Sequence, residues 1–185
     1  MKKYIPKAIV TVAGIILFSA LDTNVAIPSF LVKNIDLGIQ YGLLAFVSTQ
    51  FGPVVGLLVG FVGHALSVHH SNAWLPWAVS SGLFGLLVGL GCKSLDIKKN
   101  KFDLKFFLRF NGVQLASSLI SFALLAPVVA ILFYEHDAGY VFEQGIVAAL
   151  SNSFTTLVVG SLLCVSYSMI IAQDREYEKL NAGKH

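Results

Sequence analysis

The chain has 185 residues, of which 56% are hydrophobic and 12% charged, with a formal net charge of +3. Its mean hydropathy is +0.75, and a water-soluble domain of that character would expose large apolar patches, so a soluble globular protein is excluded. Nor is the lysine excess a nucleic-acid footprint. Basic and aromatic residues do not interleave as a nucleic-acid groove requires, and the lysines sit in short breaks between apolar runs, where anionic lipid head groups can meet them.

Lys2 and Lys3 precede an apolar stretch from Ile9 to Ala20. With no small-residue cleavage site before Asp22 and further apolar runs to follow, this predicts a retained first helix, not a removed signal peptide. The first span runs from Pro6, acceptable in a first helical turn, to Ala26, with Pro28 marking its exit. A loop with Lys33, Asn34 and Asp36 follows. Leu37 to Phe51 and Pro53 to Val68 are two short runs separated by the helix-breaking pair Gly52-Pro53. Each covers about 22 Å as a helix, less than the roughly 30 Å hydrocarbon core, so they are tilted, extended at their ends, or packed inside a bundle.

Trp74 to Cys92 is a full-length span with Trp74 and Trp77 at the level where aromatic rings mark the interface. The break from Lys93 to Lys105 carries five lysines. Phe106 to Tyr134 and Phe142 to Ala172 supply the last two spans, joined by Glu135-His136-Asp137, and the polar tail from Gln173 to His185 can continue the final helix. Of the 13 Lys and Arg residues, all but Lys33 can be assigned to one side of a membrane. That is the positive-inside pattern of six spans with both termini in the cytoplasm. Alternating strands of an outer-membrane barrel are absent. The expected fold is all-α, a bundle of six transmembrane helices forming a single domain over residues 1–185. Cys92 and Cys164 fall toward cytoplasmic ends, where neither a disulfide nor a zinc site is expected.

Gly52, Gly56 and Gly60 are spaced four apart, as are Gly85 and Gly89, an interval that lets helix backbones approach closely in lipid. His64 continues the first ridge and is a polar group in costly surroundings; a ligand, a backbone carbonyl or water could satisfy it. Asn152 lies about 12 Å into span six by helical rise. A buried amide cannot easily satisfy itself on its own helix, so it faces either an internal cavity or a neighbouring helix. Gln40, Tyr41, Trp74, Trp77, Ser80 and Gln144 lie at comparable depths and could close one pocket with His64 and Asn152, whereas Gln114 on the other half of span five reads as a packing residue. His69 and His70 share no helix face with His64, so no metal site is expected.

No span holds an acid or base near its middle, which disfavours an ion-coupled carrier. No phosphate-binding loop occurs, so any ATP and Mg would be used by partner subunits and no cofactor is expected in this chain. No nucleophile and base pair is placed for enzyme chemistry. What remains from the residues alone is a binding subunit of an energised importer, or else an uncoupled facilitator or a structural or regulatory membrane protein.

The segment from Phe51-Gly52-Pro53 through Gly56, Gly60 and Gly63-His64-Ala65, followed by Trp74-Leu75-Pro76-Trp77 and Ser81-Gly82-Leu83-Phe84-Gly85, resembles the S components of energy-coupling factor vitamin transporters, most closely the riboflavin-type and hydroxymethylpyrimidine-type group. The resemblance implies six helices that hold a small vitamin in an outward pocket capped by the loop after span one. It implies partners too: two cytoplasmic ATPases and a transmembrane coupling subunit in a bacterial plasma membrane. Family members present small residues of span one to the coupling subunit, here the face of Ala8, Thr11, Ile15 and Ser19. A neutral pocket of Trp, Tyr, His and Asn suits a flat hydroxylated ring, hydroxymethylpyrimidine or a pyridoxine-like ring first and riboflavin next.

Overall fold

A computed structural model describes residues 7–25, 38–68, 74–97 and 102–182. All regular structure in them is helical, in six helices: α1 Lys7–Asn24, α2 Gln40–Phe51, α3 Pro53–Val68, α4 Trp74–Gly91, α5 Leu104–Tyr134, and α6, which begins at Ala138 and continues through Ser161–Ala182. Four of them, α1, α4, α5 and α6, are long and apolar enough to cross a membrane. The shorter α3 is apolar along its length, and α2 buries eight of its 12 residues. Of the arrangements open to the second run, the helix takes the one packed inside the bundle.

The surface explains how so apolar a chain holds together. Ile9, Val12 and Ile16 on α1, Leu108, Leu124 and Leu132 on α5, and Leu150, Phe154 and Leu162 on α6 are all exposed. Such stripes would drive aggregation in water and are what a lipid-facing surface requires. The core they surround contains Phe18, Tyr41, Leu44, Val59, Phe84, Phe110 and Phe122.

Glycine spacing sets the tightest contact, between α3 and α4. A Cβ on Gly56 would lie 2.5 Å from the Gly85 carbonyl oxygen, and one on Gly89 would lie 2.5 Å from Pro53 Cα. The two backbones touch along the ridge that the four-residue intervals predicted. Gly52 separates α2 from α3 at φ 104°, a conformation that favours glycine.

Two helices carry a widened turn. In α5 the stretch Leu119–Leu125 is π-helical, and the Ala126 amide donates to the Ser121 carbonyl, five residues back. Pro127 accounts for it, since its ring has no N–H and would clash with the carbonyl of residue 123 in regular α-register. In α6 the stretch Thr156–Gly160 is also π-helical, and α2 packs on it through Gly42, where a Cβ would lie 2.7 Å from Val159 Cβ. The helix starts are capped by Asp103, which accepts from the Phe106 amide at 2.7 Å, and Asp137, which accepts from the Tyr140 amide at 2.9 Å. The Asp137 cap starts α6 at Ala138, four residues before the expected Phe142, and Glu135 turns the chain at φ 54°.

Candidate functional site

Two polar assemblies stand at the end of the bundle that carries Trp74. The first joins α1, α2, α3 and α4. Asp22, near the end of α1, accepts hydrogen bonds from the Gln40 amide at the start of α2 and from the Ser67 hydroxyl at the end of α3. His64 places Nδ1 3.7 Å from the same carboxylate, 3.3 Å from Ser81 Oγ and 3.5 Å from the Tyr41 hydroxyl. Tyr41 and Ser81 hydroxyls are 3.0 Å apart. Below its hydroxyl, the Tyr41 ring meets Phe122 edge-on at 5.0 Å, with Phe18 and Phe84 at 5.6 and 5.9 Å. A carboxylate in an apolar bundle is tolerable only when it is hydrogen-bonded, and two donors on two helices, Gln40 and Ser67, bond its two oxygens.

The second assembly is a cleft of about 200 Å³ between α4, the Tyr134 end of α5 and the start of α6. Pro76 and Trp77 form one wall, Ala126 and Pro127 another, and His136, Tyr140 and Gln144 close the third. The Gln144 amide donates to the Tyr140 hydroxyl at 2.7 Å. Among the described residues, no Lys, Arg, Asp or Glu lines the cleft. Its shape follows from the prolines and small residues: Pro127 widens α5, alanines at 126 and 130 leave room, and Gly145 lets α6 approach, since a Cβ there would lie 2.8 Å from the Pro127 ring.

The residues expected in one pocket are divided between these places. Gln40, Tyr41 and His64 belong to the Asp22 network. Trp77 and Gln144 line the cleft. Ser80 is fully buried one turn beneath Trp77, and Trp74 stands half-buried at the first turn of α4, outside the cleft lining. Asn152 is buried and faces the start of α2: its Oδ1 lies 3.0 Å from the place a Gly38 Cβ would take, and the neighbouring Thr155 hydroxyl donates to the Gly38 carbonyl at 3.0 Å. Gln114 does hold helices together, donating to the Ser153 carbonyl at 3.1 Å. His69, His70, Lys33 and Asn34 lie outside the described residues.

On α1, Ala8 is exposed, while Thr11, Ile15 and Ser19 are half-buried. Thr11 returns its hydroxyl to the Lys7 carbonyl at 2.8 Å, and Ile15 packs against the core. The most exposed face of α1 is the one carrying Ile9, Val12, Ile16 and Leu17. Sequence reasoning passed over Asp22 and the cleft residues His136, Tyr140 and Pro127. The signal for Asp22 was available, because an acid closing an apolar run must find donors; the cleft residues gave none, since which residues of α4, α5 and α6 meet is set by packing between helices.

The sequence pattern of the family described as ECF-type riboflavin transporter, S component, matches residues 4–169. The chain is 35% identical over 153 residues to a UPF0397 protein of Lacticaseibacillus casei, covering 82% of this chain and 78% of that one. It is 37% identical over 166 residues to a UPF0397 protein of Streptococcus gordonii, covering 89% and 88%. To a UPF0397 protein of Lactococcus lactis subsp. cremoris it is 39% identical over 162 residues, covering 86% and 88%. No solved structure matches. With its apolar helices, this is a multi-pass membrane protein, a transporter subunit and not an enzyme, and the chain belongs to the family of ECF-type riboflavin transporter S components.

Proposed function

We propose that the chain captures a small, neutral vitamin or vitamin precursor in the cleft between α4, α5 and α6 and delivers it inward when docked on a coupling subunit and two ATPases, which bind ATP and Mg and hydrolyse the ATP. In this reading all six helices belong to a bacterial plasma-membrane bundle, both termini are cytoplasmic, and the Trp74 end faces outside. The observation that carries it is the lining of the cleft: Trp77 and Tyr140 offer stacking surfaces, Gln144 a directed amide, and among the described residues no acid or Lys/Arg cation stands beside them. About 200 Å³ is below the roughly 300–1,000 Å³ of drug-sized ligand pockets. That favours a single substituted ring, hydroxymethylpyrimidine or pyridoxine-like, over the three-ring riboflavin.

The test is thermal melting of the purified full chain in detergent against hydroxymethylpyrimidine, pyridoxine, thiamine and riboflavin. A ligand that binds only the folded state raises the melting temperature with concentration. One concentration-dependent shift supports the reading. Folded protein that answers to none of the four moves the balance to an uncoupled or structural membrane protein.

A further inference from the structure

Hydroxyls inside a membrane bundle commonly satisfy themselves by donating to the carbonyl four residues back on their own helix. Ser48, Thr49, Ser117 and Ser153 do so here, at 2.6 to 2.8 Å. Ser80, Ser121 and Ser151 do not. Each is at most 1% exposed, and each hydroxyl oxygen has no hydrogen-bond partner. An unpaired buried hydroxyl is costly to keep, and the same side chains could relieve that cost by turning back to their own helix.

Their placement is systematic. One belongs to each of the three helices that line the cleft. Ser80 is three residues below Trp77 and four below Pro76, on the face those two present to the cleft. Ser121 stands one wide turn below Ala126, whose amide donates to its carbonyl and whose side chain lines the cleft. Ser151 is seven residues, two helical turns, below Gln144 and on the same face of α6. Among the described residues the other buried side-chain atoms without a partner are Gln40 Oε1 on α2, in the Asp22 network, and Thr156 Oγ1 and Gln114 Oε1 on α6 and α5. The last two lie farther along their helices from the cleft, and Gln114 already holds α6 through its amide nitrogen.

We propose that Ser80, Ser121 and Ser151 form a polar floor beneath the cleft, which receives the hydroxyl or amine substituent of a neutral ring and sets the ligand specificity of this chain. The inference rests on the reading of the cleft as the ligand site. With no Lys, Arg, Asp or Glu among the described residues of the lining, the floor discriminates by hydrogen bonding and favours ligands whose buried edge carries neutral donors and acceptors. A bare methyl at that edge leaves the serines unpaired and is rejected.

The experiment compares wild type with Ser80→Ala, Ser121→Ala and Ser151→Ala in the full chain, with Ser→Cys at each position as a near-isosteric second variant. For each, the melting temperature without ligand is measured, then the affinity for whichever of hydroxymethylpyrimidine, pyridoxine, thiamine or riboflavin shifts wild type, and for its analogue with methyl in place of hydroxymethyl. The floor predicts ligand-free melting held or raised, because alanine removes an unpaired hydroxyl, together with an affinity loss of about threefold to tenfold per serine. The methyl analogue binds wild type weakly and loses little more in the variants. Alanine and cysteine variants that bind as wild type does overturn the floor and leave the cleft reading standing. Variants that melt lower at unchanged affinity assign the hydroxyls to packing and also overturn it. Wild type that answers to none of the four ligands removes the cleft reading, and the floor with it.

Discussion

Nδ1 of His64 lies 3.7 Å from a carboxylate oxygen of Asp22, and through that carboxylate the end of α1 is tied to α2 by Gln40 and to α3 by Ser67. Three helices that share no sequence neighbourhood at these positions thus converge on one side chain. Asp22 is the group that fixes how α1 enters the bundle.

Asp22→Ala should destabilise the ligand-free chain by about 1–3 kcal/mol, because it removes two hydrogen bonds to a carboxylate and leaves the buried Gln40 donor without a partner, while Ser67 keeps the His64 carbonyl as its acceptor. Asp22→Asn keeps the shape and one acceptor oxygen, and should recover part of the loss. Thermal melting in a fixed detergent reads both. An alanine variant that melts with wild type would show the network to be incidental.

The two polar assemblies predict opposite phenotypes. Tyr41→Phe deletes a hydroxyl shared with Ser81 and His64 and should lower melting by an amount equivalent to about 1 kcal/mol. Trp77→Ala and Gln144→Ala open a site that is already concave and half-exposed. Gln144→Ala should leave melting nearly unchanged while weakening the vitamin that shifts wild type, and Trp77→Ala, which also removes a ring packed against the core, should weaken it by about tenfold or more, the usual scale for an aromatic anchor. Should Trp77→Ala lower stability and spare affinity, the tryptophan is a packing residue and the ligand lies elsewhere.

Glycine contacts give a sharper contrast. Gly56→Ala places a methyl 2.5 Å from the Gly85 carbonyl oxygen, and the α3 and α4 backbones must separate; a cost of about 1–3 kcal/mol is expected for overpacking. Gly112 is helical too, but a Cβ there meets nothing within 4 Å. Gly112→Ala should be neutral or stabilising by up to about 1 kcal/mol from helix propensity. Equal melting of the two variants would contradict the close backbone approach.

Much of this architecture is readable from residue order. The apolar runs, the Gly52-Pro53 break and the Glu135-His136-Asp137 turn place the helices to within a few residues, because each rests on local chemistry: hydrophobic length, a proline without an N–H, a capping carboxylate. The four-residue glycine spacing foretells close backbone approach for the same reason, though not which helix meets which; the structure pairs α3 with α4 there. What could not be read is how faces register across helices. Tyr41, His64, Asn152, Trp77 and Gln144 have similar depths, and depth alone puts them in one pocket. In the structure the Tyr41 ring packs edge-on against Phe84 and Phe122 and its hydroxyl joins Ser81 and His64, while Trp77 and Gln144 line the cleft. A turn that adds one residue to a helical repeat leaves no periodicity signal in a run that is apolar on every side.

At the opposite end of the bundle, Gln50 reaches from the last turn of α2 to the segment that follows α4. Its Oε1 accepts from the Ile97 amide at 3.1 Å and its Nε2 donates to the Leu95 carbonyl at 3.3 Å. Leu95 and Ile97 are buried beside it, so the amide completes backbone hydrogen bonds that have no helix to supply them. Gln50→Ala leaves one N–H and one C=O unpaired and should cost about 2 kcal/mol or more. Gln50→Glu separates the two contacts. A carboxylate still accepts from Ile97 but turns an oxygen toward the Leu95 carbonyl, so it should melt below wild type, and protonation at low pH, which restores a donor, should narrow the gap. Hydrogen exchange at the Ile97 amide measures the same contact directly: slow in wild type and in Gln50→Glu, fast in Gln50→Ala. An Ile97 amide that exchanges equally in all three would show that this segment is held by its buried side chains alone.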